Sequence, residues 1–169
     1  MRTLKLALLA TVATAGLSSA AFAADLIIDE APVLIDNTAS FDWEGPYAGL
    51  FFSGQTTPAF GLGANLGINF LLDQSLLAGI EGEVSWLSDN SWQGQVDGRL
   101  GFIVDQAVIY GFAGYGFNSD TDGYVPVGAG VEFAVAEDLS VKAEYQYQWD
   151  LDNSADSAHV AKLGFNFHF

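Results

Sequence analysis

Ser157 and His159 stand two residues apart near the end of the chain, with Asp156 beside them. A hydroxyl, an imidazole and a carboxylate are the parts of a nucleophile, its base and an orienting group. That chemistry needs them within hydrogen-bond reach of one another. In an extended chain Ser157 and His159 share a face while Asp156 points away, so the trio does not assemble locally and no catalytic residue is assigned. Acidic side chains recur nearby: Asp89; Asp120 and Asp122 in "NSDTDG"; Asp150, Asp152 and Asp156 in "DLDNSADS". Carboxylate oxygens suit Ca²⁺ or Mg²⁺. "DTDG" has the start of a calcium loop without its later spacing or terminal Glu, so these stretches read as solvated loops. No fixed metal and no cofactor is expected. A third group is ionisable and sits in the middle of apolar alternation: Glu81, Glu83, Asp97, Arg99, Glu132, Lys142, Glu144 and Lys162.

The elements that carry these residues follow a period of two. "FGLGANLGINF" places Phe60, Leu62, Ala64, Leu66, Ile68 and Phe70 on one face, and Gly61, Gly63, Asn65, Gly67 and Asn69 on the other. "LLAGIEGEVSW" and "LSVKAEYQYQW" repeat the alternation, which is that of a β-strand with unlike faces. Eight strands are predicted, at about 46–54, 59–71, 75–87, 92–103, 107–117, 124–135, 139–149 and 158–169. Polar breaks separate them, with Asp73, Asp105 and Glu137 evenly spaced in alternate turns. This is a meander of hairpins.

The first 23 residues read as a secretory signal. Arg2 and Lys5 precede the apolar run "LALLATVATAGL", and Ala21 and Ala23 supply small residues at the cleavage site. The run is shorter than the ~20 residues a membrane helix needs. Cleavage leaves a chain starting at Ala24. Residues 24–43 read as an acidic N-terminal segment on the periplasmic side, and 44–169 as the strand domain. Cysteine is absent, which excludes disulfides and thiolate metal sites. After residue 23 only Arg99, Lys142 and Lys162 are basic, against 21 acidic residues. Nucleic acid is therefore excluded as an electrostatic partner.

Two architectures share this alternation. A soluble ligand-binding barrel turns the apolar face inward; an outer-membrane barrel turns it to lipid and lines its interior with polar groups. The polar face decides for the second. It carries glycines, amides and mid-strand charges, while Trp86, Trp92, Tyr147, Trp149, Phe165, Phe167 and Phe169 lie near strand ends, as interfacial girdles do. Eight strands enclose little more than side chains, so the interior charges read as an ion-pair plug and a conducting path is the lesser reading. Three cross-strand pairs are predicted: Glu132 with Lys142, Glu144 with Lys162, and Glu81 with Arg99. The last register leaves Glu83 opposite Asp97. Pro126 sits near the start of the sixth strand, where a bulge or a later strand start is expected. His159 reads as a rim aromatic, and His168 points inward with nothing to act on.

"GPYAGLFFSG" (45–54), "VGAGVEFAVAEDLSVKAEYQYQWD" (127–150) and the terminal "AKLGFNFHF" resemble the outer-membrane β-barrel family of alphaproteobacterial surface proteins, of the OmpA and OmpX architecture. The middle stretch is the most specific. The resemblance spans 44–169. It implies an all-β, eight-stranded antiparallel up-and-down transmembrane barrel with both termini in the periplasm, a role in envelope integrity and surface interaction, and no catalysis. It implies outer-membrane lipid and lipopolysaccharide as surroundings, and the barrel assembly machinery as a partner that reads Phe165, Phe167 and Phe169 as a C-terminal signal. The outer loops lack Lys and Arg, so direct phosphate binding there is not expected; solvated loops are the main reading, and weak divalent bridging to anionic headgroups is the lesser one. Some barrels of this kind modify lipid A with a His and Ser at the rim. That enzyme is the alternative reading.

Overall fold

A computed structural model of the chain describes residues 41–56, 60–119, 123–151 and 157–169. Ala21 and Ala23, and the loop acids Asp120, Asp122, Asp152 and Asp156, lie outside the described residues. Eight strands follow in order: β1 (Gly45–Gln55), β2 (Phe60–Asp73), β3 (Leu76–Leu87), β4 (Trp92–Val104), β5 (Ala107–Asn118), β6 (Tyr124–Ala134), β7 (Leu139–Asp150) and β8 (Ala158–His168). Each pairs antiparallel with the next, and β8 pairs with β1 to close the barrel. Closure removes both sheet edges, the condition for crossing a bilayer with strands.

The register fixes the shape. The paired residues run once around from Gly45 through Asn69, Gly79, Arg99, Phe112, Gly128, Gln146 and Val160. They return to β1 at Gln55, ten residues along. Ten residues rise ~33 Å along a strand, against ~38 Å around eight strands. The strands therefore tilt by about 40°, within the range of closed barrels.

Alternation sends side chains to opposite faces as the spacing predicts. Leu62, Leu66, Ile80, Val96, Leu100, Phe102, Ile109 and Leu163 are exposed on the outside, whereas Asn65, Asn69, Glu81, Arg99, Glu132, Lys142 and Asn166 are buried inside. Inward aromatics fill the space above glycines of neighbouring strands. A Cβ on Gly128 would meet the Phe112 ring at 2.5 Å, and one on Gly130 would meet Tyr110 at 2.7 Å.

Turn chemistry sets the registers, and that of β3–β4 differs from expectation. In the β3–β4 connection Asn90 adopts a left-handed φ of 70°. Leu87 N donates to Ser91 O at 2.9 Å, and Trp86 pairs with Trp92. The Asp89 carboxylate accepts from Ser91 N at 3.0 Å and from Ser91 Oγ at 2.6 Å, and these bonds hold its pKa below the usual carboxylate range. This tight turn moves the ladder two residues from the predicted register. Arg99 faces Gly79 rather than Glu81, and Asp97 faces Glu81 rather than Glu83. Pro126 marks no bulge. The β5–β6 register is the same on both sides of it, but the ladder has no pairs at Gly114 and Tyr115, where the proline N–H is missing. The bulge lies instead at the end of β2, between Leu71 and Asp73.

The barrel end that holds the short turns is stopped by residues before β1. Phe41 and Trp43, read from sequence as part of a separate segment, are buried with Leu77, Val108, Tyr110, Phe112 and Ala134. Their rings lie 4.4 Å apart and close on His168 at 4.9 and 5.6 Å. Asn69 Nδ2 donates to the Trp43 carbonyl at 2.9 Å. Trp43→Ala is expected to cost about 2–3 kcal/mol in a urea unfolding series in micelles. That is less than the ~3–5 kcal/mol of a fully enclosed Trp, because water can enter the gap at the barrel end.

Candidate functional site

The interior is the densest chemical feature of the chain, and parity of the strands positions it. β3 supplies Glu81 and Glu83, β4 Asp97 and Arg99, β6 Glu132, β7 Lys142 and Glu144, and β8 Lys162; all eight are buried. Of the three predicted pairs, Glu144 and Lys162 are opposed in register and lie 3.8 Å apart. Glu132 and Lys142 are also opposed, but each takes a partner across the lumen. Arg99 reaches Glu132 at 3.1 Å, and Lys142 reaches Glu81 at 2.8 Å. The Glu81–Arg99 pair does not form, because the turn shifts the ladder. Glu83 has no like-charge neighbour opposite it; Gln95 stands there, and Glu83 contacts Lys162 and, at 3.5 Å, Lys142. The physical reason is width. In so narrow a barrel a long side chain spans to the far wall as easily as to its neighbour.

Other groups complete the network that sequence reasoning missed. Tyr47 OH donates to Glu81 at 2.7 Å and Tyr110 OH to Glu144 at 2.6 Å. The Arg99 guanidinium lies between these two rings, 4.7 and 4.9 Å from their centroids. Asn65 Nδ2 bridges Glu81 and Asn166, and Asn166 Nδ2 donates to Glu132 at 2.7 Å. Period-two parity alone places these residues inside, but their partners depend on the barrel stagger.

Three chemical readings can be tested on this geometry. A metal centre is the first. Glu81, Glu83 and Glu144 present oxygens within 4.8 Å of one another, but the Lys142 ammonium sits among them, 2.8–3.5 Å from all three. The residues present supply their own cation and do not fit a resident metal. Catalysis is the second. His168, expected to have nothing to act on, instead touches Ser140 Oγ at 3.1 Å and Glu132 at 3.3 Å. Both partners sit on Nε2, so the carboxylate cannot orient the ring from the opposite nitrogen as a relay requires. His159 Nδ1 is engaged 2.6 Å from Tyr145 OH, and among the described residues no hydrogen bond joins it to Ser157. A channel is the third. Beyond a polar mouth of ≈ 110 Å³ lined by Gln55, Gln93, Tyr124 and Gln148, the cavity next to Glu83 and Lys162 is ≈ 10 Å³. That is room for about one water.

The outer wall has the complementary character. Trp86, Trp92, Trp149, Phe165, Phe167 and Phe169 are all exposed. Phe169 N donates to Pro46 O at 3.0 Å, and its ring meets Phe167 edge-on at 5.3 Å. An apolar wall around a charged interior is stable only in lipid.

Known proteins agree with this arrangement. A 22 kDa outer membrane protein of Rhizobium leguminosarum bv. viciae is 30% identical, over 75% of this chain and 78% of its own. A 25 kDa outer-membrane immunogenic protein of Brucella canis is 28% identical, over 87% and 85%. The N-terminal barrel domain of Pseudomonas aeruginosa OprF superposes with a TM-score of 0.55 at 17% identity, over 75% of this chain and 98% of that one. The outer membrane enzyme PagL does so at 0.54 and 15%, over 73% and 99%; likeness at such identity is likeness of fold. The family model described as outer membrane protein beta-barrel domain matches residues 7–169. With its closed eight-stranded barrel, the chain belongs to this family of outer-membrane proteins.

Proposed function

We propose that this outer-membrane barrel is non-catalytic and acts as a structural and surface-interaction element of the envelope. The observation that carries the reading is the lumen. It is filled by an ion-pair network, stopped at one end by Phe41 and Trp43, and reduced to ≈ 10 Å³ above Glu83 and Lys162. With the lumen filled, and with Ser140 and Glu132 both on Nε2 of His168 so that no carboxylate orients that ring from its other nitrogen, the loops and the lipid-facing surface are left as the working parts. Relatives named for immunogenicity support exposure of those loops at the cell surface. The short turns and both ends of the strand meander share one side of the barrel, which supports a periplasmic placement of the termini. The acidic loops suit weak divalent bridging to lipopolysaccharide phosphates.

The purified barrel, placed in a planar bilayer, is expected to give no discrete current steps. Cells carrying His159→Asn are expected to keep the acyl pattern of their lipid A. Steady conductance would overturn the closed-lumen reading, and an altered acyl pattern would favour a lipid A-modifying enzyme.

A further inference from the structure

The outer wall of the barrel carries a polar pair joined by a hydrogen bond, Tyr145 with His159. On β7 and β8, Tyr145 and His159 both face outward, and the phenol oxygen lies 2.6 Å from His159 Nδ1 with the rings stacked at 5.9 Å. The pair closes the outward ladder of β8, which runs Phe167, Phe165, Leu163, Ala161 and then His159. Thr56, the residue after β1, clamps the His159 backbone: its N–H donates to His159 O at 3.0 Å, and its hydroxyl accepts from His159 N at 3.1 Å. Tyr147 stands opposite His159 in register with its ring 4.9 Å away, and Trp149 meets Tyr147 edge-on at 5.0 Å. The pair thus sits where the apolar wall gives way to the loops, at the depth of a headgroup boundary.

Chemistry defines what the pair can hold. A phenol is the better donor and an imidazole nitrogen the better acceptor, so Tyr145 O–H donates to Nδ1. That fixes the neutral tautomer with its proton on Nε2. The remaining ring donor is then Nε2–H, on an exposed side chain whose ring lies 4.9 Å from that of Tyr147. Among the described residues no side-chain cation is available on this wall, because Arg99, Lys142 and Lys162 are all buried in the lumen. Neutral donors are therefore the means left to this wall for binding an anion, and a phosphate oxygen accepts such bonds strongly.

We propose that Tyr145 and His159 form a docking point for the phosphate of a membrane lipid at the loop-end rim. The inference rests on the outer-membrane reading above. The Tyr145 hydroxyl is the positioning group, and His159 Nε2–H is the contact.

Native mass spectrometry of the full barrel, released from maltoside micelles doped with phosphatidylglycerol, tests the site. The wild type is expected to retain one lipid on the order of tenfold better than His159→Phe, the ratio that loss of one charge-assisted hydrogen bond produces. Tyr145→Phe is expected to fall between them. A galactolipid of the same acyl length is expected to be retained equally by all three. Equal phosphatidylglycerol retention by wild type and His159→Phe would overturn the site, as would retention that inorganic phosphate abolishes. Heat-modifiable gel mobility, read on the same samples, separates the two levels. A normal shift without lipid discrimination defeats only the docking point, whereas no shift in the wild type defeats the membrane barrel itself.

Discussion

Lys142→Ala is expected to lower unfolding stability by about 3–5 kcal/mol, the usual cost of stripping the partner from a buried charge. The substitution leaves Glu81, Glu83 and Glu144 with oxygens within 4.8 Å of one another and, among the described residues, only Lys162 in ion-pair contact with them, through Glu83 and Glu144. Three carboxylates in a wall enclosed by lipid repel one another with little screening. The urea midpoint of the folded barrel in micelles measures the loss. Pairing the change with Glu81→Gln removes one charge of each sign, and the double variant is expected to recover much of the stability. A double variant no better than Lys142→Ala alone would show that the lysine stem, not its charge, does the holding. Millimolar Ca²⁺ is expected to raise the midpoint of Lys142→Ala and to leave the wild type unmoved, because only the variant has an empty carboxylate cage.

Gly128→Ala is expected to cost about 3 kcal/mol or more and to reduce the folded fraction recovered from urea. The added methyl would lie 2.5 Å from both the Tyr145 carbonyl and the Phe112 ring. A carbonyl in a strand ladder cannot retreat, and Phe112 is enclosed by the lumen, so neither neighbour yields at low cost. Gly82→Ala is the matched control. It lies on the outer face with its nearest atom, the Leu66 carbonyl, at 3.9 Å. That variant is expected to stay within about 0.5 kcal/mol of wild type. Equal behaviour of the two would mean that the inward glycines are not making room for aromatics.

Much of this architecture was legible in the sequence, because alternation is a local property. Asn65 and Asn69 face in and Leu62 and Leu66 face out for no reason beyond the pleat and the demand of lipid. Strand ends fell within two residues because polar clusters such as "SDNS" break the pattern where it must turn. Pairing was less legible, since it depends on quantities that no local window contains. The β3–β4 register rests on the left-handed Asn90, and a turn of that kind moved Arg99 by two places. Partners in the lumen depend on a stagger of ten residues accumulated over eight ladders, which is why Glu132 and Lys142, though opposite, bind elsewhere. The inward placement of His168 was legible, but its partners and the burial of Trp43 were missed for one shared reason. Phe41 and Trp43 belong to no strand, so alternation could not place them, and His168 finds much of its packing on them.

The closed lumen also sets what the surrounding medium can influence. Dissolved ions weaken a charge pair only where they can approach it, over ~8 Å at physiological strength. Arg99, Lys142 and Lys162 lie behind a cavity of ≈ 10 Å³ on one side and Phe41 and Trp43 on the other. The barrel therefore carries a private electrolyte, with lysine and arginine as its fixed cations. A cell passing from fresh water to brine changes the field around its acidic loops, while the interior that holds the strands together is insulated from the change.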